Sequence, residues 1–80
     1  GHIVTFQVLL KDEPGVLSSI LSAFAASGGN ILTINQSIPT GGVAAVTLSA
    51  ETSNLNLPLE DLVHSAERLD GVIAFEVLAG

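Results

Sequence analysis

The chain has 80 residues, enough for one small domain, and a domain of this size buries only roughly 60% of the surface that its unfolded chain exposes. Apolar residues make up 48% of it, whereas charged residues make up 12% against a usual ~25%. Lys11 and Arg68 are the only strong cations beside eight carboxylates, which gives a formal charge of −6. So few cations cannot neutralise a row of phosphates, so we expect no nucleic-acid partner and no anionic membrane partner.

Missing residue types narrow the function classes further. The chain has no cysteine, which excludes disulfide, thiol-nucleophile and zinc-ribbon chemistry and agrees with a cytoplasmic location. Tyrosine and tryptophan are also missing, so the stacking platforms of single-strand binders are not available. No apolar run approaches the ~18 residues of a membrane span. The absence of methionine favours a fragment of a longer protein, with Gly1 as a cloning remnant.

Apolar residues recur at alternate positions at the start of the chain, which is the period of a half-buried strand. The inward residues of this first strand, predicted over 2–10, are Val4, Phe6, Val8 and Leu10. The period then changes to three and four residues, which predicts a helix over roughly 14–27. Its apolar stripe is Leu17, Ile20, Leu21, Phe24 and Gly28. Pro14 is expected in the first helical turn, and the glycines at 28–29 end the helix.

The pattern returns to alternation after the first helix and predicts a hairpin. Its strands are expected over 30–38 and 43–51, with a turn at 39–42. On the second strand, the inward residues are Leu32, Ile34 and Ile38, and the outward residues are Ile31, Thr33, Asn35 and Ser37. On the third strand, the inward residues are Ala44, Val46, Leu48 and Ala50.

A second amphipathic helix and a last strand complete the chain. The helical stripe is Leu59, Leu62, Val63, Ala66 and Leu69. Glu60 and Asp61 lie near the positive end of the helix dipole and Arg68 near the negative end. Gly71 ends the helix, and the strand over 72–78 places Ile73, Phe75 and Val77 on one face.

The element order βαββαβ predicts one α+β domain over 1–80 with the ferredoxin-like fold. We expect a four-stranded antiparallel sheet in the order 4-1-3-2, with both helices on one face. Strands two and four are then the edges. The open face of strands one to three carries small polar side chains, namely Thr5, Gln7, Thr33, Asn35, Ser37, Thr47 and Ser49.

Catalytic and metal-binding patterns are sparse. His2 and His64 lack metal-ligand spacing, and no serine lies in a nucleophile-elbow motif. A solvated helix face explains the acids of the second helix better than paired acid and base catalysis does. No glycine pattern matches a phosphate or dinucleotide loop. We therefore predict no catalytic residue, no metal and no cofactor.

The turn that enters the first helix is the candidate binding site. Backbone N–H groups at Gly15, Val16 and Leu17 lie at the positive end of the helix dipole and suit one carboxylate. Asp12 lies beside them and could accept an ammonium group, and we include the neighbouring Glu13 in the predicted ligand site. A carboxylate site next to an ammonium site describes an α-amino acid. The alternative is that Asp12 or Glu13 only caps the helix while Gly15 relieves a crowded turn.

Several segments together resemble one family, the ACT domain. They are the βαββαβ frame, residues 12–17, the junction at 28–31 and residues 70–72. Residues 30–39 and 42–44 further resemble the small bacterial proteins labelled PheB-like or chorismate-mutase-like, whose C-terminal half is an ACT domain. This resemblance implies a non-catalytic regulatory domain of amino-acid metabolism that binds an amino-acid effector at a subunit interface. In the family, the matching positions supply ligand contacts, which here are Asp12, Gly15 and Asn30.

We expect the domain to form a homodimer or a higher homo-oligomer, because strand two is an edge with no lysine, and no proline before Pro39, to prevent pairing. The first helix and strand two would lie near the two-fold axis. One alternative is a purely structural oligomerisation module without ligand. Another is a chorismate mutase, but its dicarboxylate substrate needs several cations and the chain has two.

Overall fold

Six elements follow one another in the computed structural model, which describes residues 2–80. They are β1 (Ile3–Lys11), α1 (Val16–Ala26), β2 (Asn30–Gln36), β3 (Val43–Glu51), α2 (Leu59–Glu67) and β4 (Val72–Ala79). The order βαββαβ confirms the predicted fold class. Gly1, which we interpret as a cloning remnant, lies outside the described residues.

All strand pairs of the sheet are antiparallel, and the strand order is β2-β3-β1-β4. This confirms the predicted 4-1-3-2 order and leaves β2 and β4 as the edges. On the open face, Thr5 lies opposite Ser49 with their hydroxyls 3.2 Å apart, and the Thr47 hydroxyl donates to the Gln7 side chain at 3.3 Å. The predicted polar face of the central strands is therefore confirmed.

The core lies between the sheet and the two helices. Every predicted inward residue of β1 and β3 is buried, because these central strands alternate strictly. The three phenylalanines meet there, with the Phe6 and Phe24 rings in an edge-to-face arrangement at 5.2 Å and Phe75 packed against both. Burying each such ring stabilises the fold by roughly 1.5–3 kcal/mol.

The first helix is shorter than predicted at its start. It begins at Val16, and Gly15 at its N-cap has a φ of 87°, which is not helical. Pro14 therefore lies before the helix and not in its first turn. Val16, which the predicted stripe omitted, is buried together with Ile20 and Phe24. The predicted stop is confirmed, since Gly28 takes a φ of 84°.

The predicted faces of β2 are partly wrong, because the pairing with β3 shifts register between Ile31 and Thr33. Leu32 is the extra residue and is 47% exposed, whereas Ile31 packs against the core. Ile34 faces the helix side as predicted but is 43% exposed on this edge strand. Ile38 lies beyond the end of the strand and is not inward.

The predicted face of β4 is wrong at one position for the same reason. A register shift against β1 makes Ile73 the extra residue, and it is half-exposed. Val72 takes the inward position opposite Leu10 and packs against the core. Phe75 is buried as predicted, and Val77 lies opposite Phe6 but is 45% exposed at the sheet edge.

Candidate functional site

Three loops meet at one end of the sheet, and the middle one is the predicted site. The N–H of Lys11 donates to the carbonyl of Gly71 at 2.8 Å, and the N–H of Asp12 donates to the carbonyl of Gly42 at 2.9 Å. Gly71 lies in the loop between α2 and β4, and Gly42 lies in the loop between β2 and β3. The segment 12–15 is thus held by backbone hydrogen bonds from both sides.

The segment 12–15 turns sharply within itself. The N–H of Glu13 donates to the carbonyl of Lys11 at 2.8 Å, which closes a three-residue turn about Asp12. The N–H of Val16 donates to the carbonyl of Glu13 at 3.4 Å, and the Ser19 hydroxyl donates to the carbonyl of Gly15 at 2.9 Å. These bonds fix the angle at which the chain enters α1.

Among residues 2–80, no side chain caps the start of α1, and no acidic residue lies in its first turn. The predicted alternative, in which Asp12 or Glu13 caps the helix, is therefore wrong. Within residues 2–80, no backbone carbonyl accepts from the N–H of Leu17 or Ser18. The positive end of the helix dipole is thus uncompensated, and its amides are available to a bound anion.

Gly15 combines two properties that the sequence could not separate. Its φ of 87° lies in the left-handed region, which favours glycine, so the residue serves the backbone turn. In the part of the chain that the structure describes, no heavy atom lies within 4 Å of the point where a β-carbon on Gly15 would be. The space above Gly15 is therefore open to a ligand as well.

A cavity of about 340 Å³ lies between the loop, the first turn of α1 and the end of β2. It is lined by Leu10, Asp12, Glu13, Pro14, Gly15, Leu17, Ser18 and Gln36. Four predicted site residues, Asp12, Glu13, Gly15 and Leu17, thus share one cavity. Its wall combines the apolar side chains of Leu10 and Leu17 with carboxylates and one amide.

Leu10, Pro14, Ser18 and Gln36 also line the cavity but were not predicted as site residues, and of these Gln36 comes from a distant element. The predicted sheet order could have indicated Gln36. Because β1 and β2 are both antiparallel to β3, their C-terminal ends lie at the same end of the sheet. Gln36 is the last residue of β2, and its partner on β3 is the buried Val46, so its side chain lies on the helix side.

A second cavity, of about 470 Å³, lies on the β4 side of the same loop. Its lining is Lys11, Glu13, Pro14, Gly15, Val16, Ser19, Asp70 and Gly71. Val16 thus lines this cavity and not the first one, and its side chain is buried against Gly71. Any contact of Val16 with a ligand in the first cavity would use its backbone.

Asn30 lies away from the other predicted site residues. It begins β2 at the far end of α1, opposite Glu51 on β3. The 11 residues of α1 separate the two ends by roughly 16 Å at ~1.5 Å per residue. A single chain therefore does not bring Asn30 and Asp12 onto one small molecule.

Glu51 ties the start of the chain to the loop after β3. Its carboxylate accepts hydrogen bonds from the hydroxyl and the N–H of Ser53 and from the N–H of His2. These bonds, with the Ser53 hydroxyl first, lower the pKa of Glu51 to about 2. Glu51 pairs with Ile3, at the opposite end of β1 from the cavity residue Leu10.

Charge is distributed very unevenly along the chain, a feature that the sequence analysis missed. Residues 14–50 contain no Asp, Glu, Lys, Arg or His. This segment includes all of α1 and β2, so the surface that these two elements form, here called the α1–β2 face, is uncharged. Six of the seven residues of β2 are exposed, Leu32 and Ile34 among them.

Within residues 2–80, no three His, Cys, Asp or Glu side chains lie close enough to hold a metal ion. None of the helices described there is long and apolar enough to cross a membrane.

Comparisons with known proteins agree on one family. A model of the ACT domain matches residues 4–63. A UPF0735 ACT domain-containing protein of Caldicellulosiruptor saccharolyticus is 46% identical over 98% of the chain, and one of Caldanaerobacter subterraneus is 47% identical over the same share. These matches cover 52% and 53% of the two relatives, so the chain spans about half the length of the curated relatives it matches.

Solved structures show the same fold at low sequence identity. The ACT domain of a GTP pyrophosphokinase of Chlorobium tepidum has a TM-score of 0.71 at 20% identity, with 95% of this chain and 96% of that one covered. The C-terminal domain of the MgtC protein of Mycobacterium tuberculosis has a TM-score of 0.73 at 18% identity, with 98% and 86% covered.

Proposed function

The chain belongs to the ACT domain family, and we propose that it is a non-catalytic regulatory domain that dimerises through the α1–β2 face and binds an amino-acid effector there. One observation carries the proposal. The cavity that holds Asp12, Glu13, Gly15 and Leu17 lies where α1 and β2 meet, at the margin of the uncharged face. An effector in this cavity would therefore touch both its own subunit and a partner on that face.

The composition of the α1–β2 face supports self-association. The formal charge of −6 opposes contact between two copies over most of the surface, but residues 14–50 add nothing to that repulsion. Leu32 and Ile34 supply apolar area, and β2 is an unprotected edge strand. Pairing of two β2 edges would extend the sheet to eight strands.

The cavity supports a zwitterionic effector. Its carboxylate would accept hydrogen bonds from the free N–H groups of Leu17 and Ser18, and its ammonium group would lie against Asp12. Leu10 and Leu17 would contact an aliphatic part of the effector. Gln36 offers both a donor and an acceptor.

Asn30 joins this site only across the interface. If two first helices pack antiparallel, Asn30 of one copy lies near Asp12 of the other, and a dimer then holds two equivalent sites. Effector binding would strengthen such a dimer by linkage, since both subunits contribute to each site.

Thermal unfolding in the presence of each amino acid in turn tests this function. A bound effector at about 100 times its dissociation constant stabilises the folded state by about 2.7 kcal/mol. We expect one or a few amino acids to raise the Tm, and Asp12→Ala to abolish the shift. A dimer whose Tm responds to no amino acid would favour the alternative, a structural oligomerisation module.

A mixing experiment tests the shared site. Asp12→Ala and Asn30→Ala homodimers each carry two damaged sites, whereas their heterodimer carries one doubly damaged site and one intact site. In an equimolar mixture about half of the dimers are heterodimers, so calorimetry should find binding restored to about a quarter of all sites. No restored binding, with subunit exchange verified, would refute the shared site.

The finer resemblance of residues 30–39 to PheB-like proteins remains part of the proposal, because the curated relatives are named only as ACT domain-containing proteins. We do not propose the activity that the chorismate-mutase-like label suggests, because its dicarboxylate substrate needs several cations and the chain has only Lys11 and Arg68, far apart in the sequence. A mutase assay on the chain checks this directly. We further propose that the domain acts in the cytoplasm.

A further inference from the structure

The two edges of the sheet differ in charge, and the difference indicates separate roles. The β2 edge lies in the uncharged segment 14–50, whereas residues 52–80 carry five of the eight carboxylates and only Arg68 as a strong cation. These five acids are all exposed; they are Glu60, Asp61, Glu67, Asp70 and Glu76. Glu76 lies on β4 itself, Asp70 lies in the loop before it, and the other three lie on α2, which packs against β4.

The β4 edge has the other features of a strand-binding surface. β4 pairs with β1 alone, so its outer backbone N–H and C=O groups have no strand partner within residues 2–80. Ile73, Val77 and Leu78 are 51%, 45% and 56% exposed along it. The pairing with β1 is regular from Ala74 to Val77, between the two register shifts. An extended peptide could add along this stretch by backbone hydrogen bonding.

The negative charge of these five acids determines what kind of peptide strand can pair with β4. A second copy of the chain would bring five further carboxylates against this edge, so like-charge repulsion opposes self-pairing there. A strand with lysine or arginine beside apolar residues would meet complementary charge and the exposed aliphatic side chains. We infer that the β4 edge is a docking site for a basic, extended segment of another protein, which adds to the sheet next to β4.

This surface is independent of the proposed effector site. In a dimer paired through β2, the two β4 edges are the outer strands of the sheet and stay free. At ~4.8 Å between neighbouring strands, they lie roughly 34 Å apart. The dimer therefore presents two equivalent docking edges to a partner.

The test uses two peptides of nine residues that differ only in charge, one alternating lysine with valine and the other glutamate with valine. Binding to the whole chain is followed by amide chemical shifts and calorimetry. The lysine peptide should bind with shifts centred on residues 74–77 and should lose affinity as salt rises, because exposed charges are screened. The glutamate peptide should not bind.

Two matched variants locate the contact. Val77→Lys on β4 and Ile34→Lys on β2 each place a lysine at an aliphatic position that is 45% or 43% exposed. Val77→Lys should lower the affinity for the lysine peptide by at least about tenfold. Ile34→Lys should keep that affinity within about a factor of two of the natural chain's value. Circular dichroism checks that both variants are folded.

Four outcomes of the binding experiments would overturn the inference. They are equal binding of both peptides, no saturable binding of the lysine peptide at about 1 mM, chemical shifts centred on β2, and an unchanged affinity in Val77→Lys. Loss of the dimer in Val77→Lys would overturn it as well, because the β4 edge would then be the self-association surface. None of these outcomes depends on an amino-acid effector, so the effector site is judged separately.

Discussion

Gly71 and Val16 pack so closely that a β-carbon on Gly71 would lie 2.6 Å from Cγ2 of Val16. Gly71 also has a φ of 86°, and its carbonyl accepts from the N–H of Lys11. One glycine thus positions both ends of the segment that enters α1. The start of the helix, and with it the candidate site, depends on this contact.

Gly71→Ala should therefore lower the free energy of unfolding by two separable effects. The left-handed backbone costs about 1–2 kcal/mol for a residue with a β-carbon. Overpacking against Val16 adds about 1–3 kcal/mol. Gly41→Ala is the matched control, because Gly41 has a φ of 61° with open space around it and so tests the backbone cost alone. Chemical denaturation of both variants measures the difference, and equal losses would show that the Val16 contact relaxes freely.

Asn56 caps the opposite end of α1. Its side-chain amide donates to the carbonyl of Ala26 at 3.1 Å, and its backbone N–H donates to the carbonyl of Ser27 at 2.9 Å. Asn56→Ala removes the first bond and keeps the second, so the free energy of unfolding should fall by about 0.5–1.5 kcal/mol. Asn54→Ala in the same loop is the control, since its side chain makes no hydrogen bond within residues 2–80. If the two variants are equally stable, the cap contributes nothing.

Acid should remove the stabilisation that Glu51 provides. Its pKa is about 2 in the folded chain against an ordinary value of 4.5. A lowered pKa means that the stabilisation is complete above pH 4.5 and is lost as the pH falls from 4.5 through about 2. Glu51→Gln should therefore be less stable than the natural chain at neutral pH, and the difference should shrink over this window.

The control for Glu51 is Glu76→Gln, whose natural carboxylate accepts no hydrogen bond within residues 2–80. It should reproduce the acid dependence of the natural chain. Thermal unfolding from pH 2 to 7 measures all three proteins. An acid dependence in Glu51→Gln that matches the natural chain would contradict the assigned hydrogen bonds.

The sequence predicted the elements, their order and the sheet topology because the central strands alternate strictly. β1 and β3 each pair with a neighbouring strand on both sides. Assigning their inward and outward residues one position out of step would therefore bury polar residues. The edge strands lack this constraint. Leu32 and Ile73 are extra residues at register shifts. An extra aliphatic residue among other aliphatic residues cannot be recognised from the sequence pattern.

The candidate site was predictable in part. The loop from Asp12 to Gly15 could be found because a proline and a glycine precede an apolar helical stripe. The φ of Gly15 could not be predicted, because a glycine after proline is compatible with either a helical or a left-handed backbone. The cavity depends on Gln36, which comes from an element distant in the sequence, and only the tertiary fold brings it to the loop.

Self-association through the α1–β2 face is the central claim, and sedimentation velocity at tens of micromolar protein tests it most directly. The natural chain and Val77→Lys should sediment as dimers, whereas Ile34→Lys should shift to monomer because its lysine lies in the otherwise uncharged interface. An amino acid that raises the Tm should lower the dissociation constant of the natural dimer. A natural chain that sediments as monomer with and without every amino acid would contradict the claim.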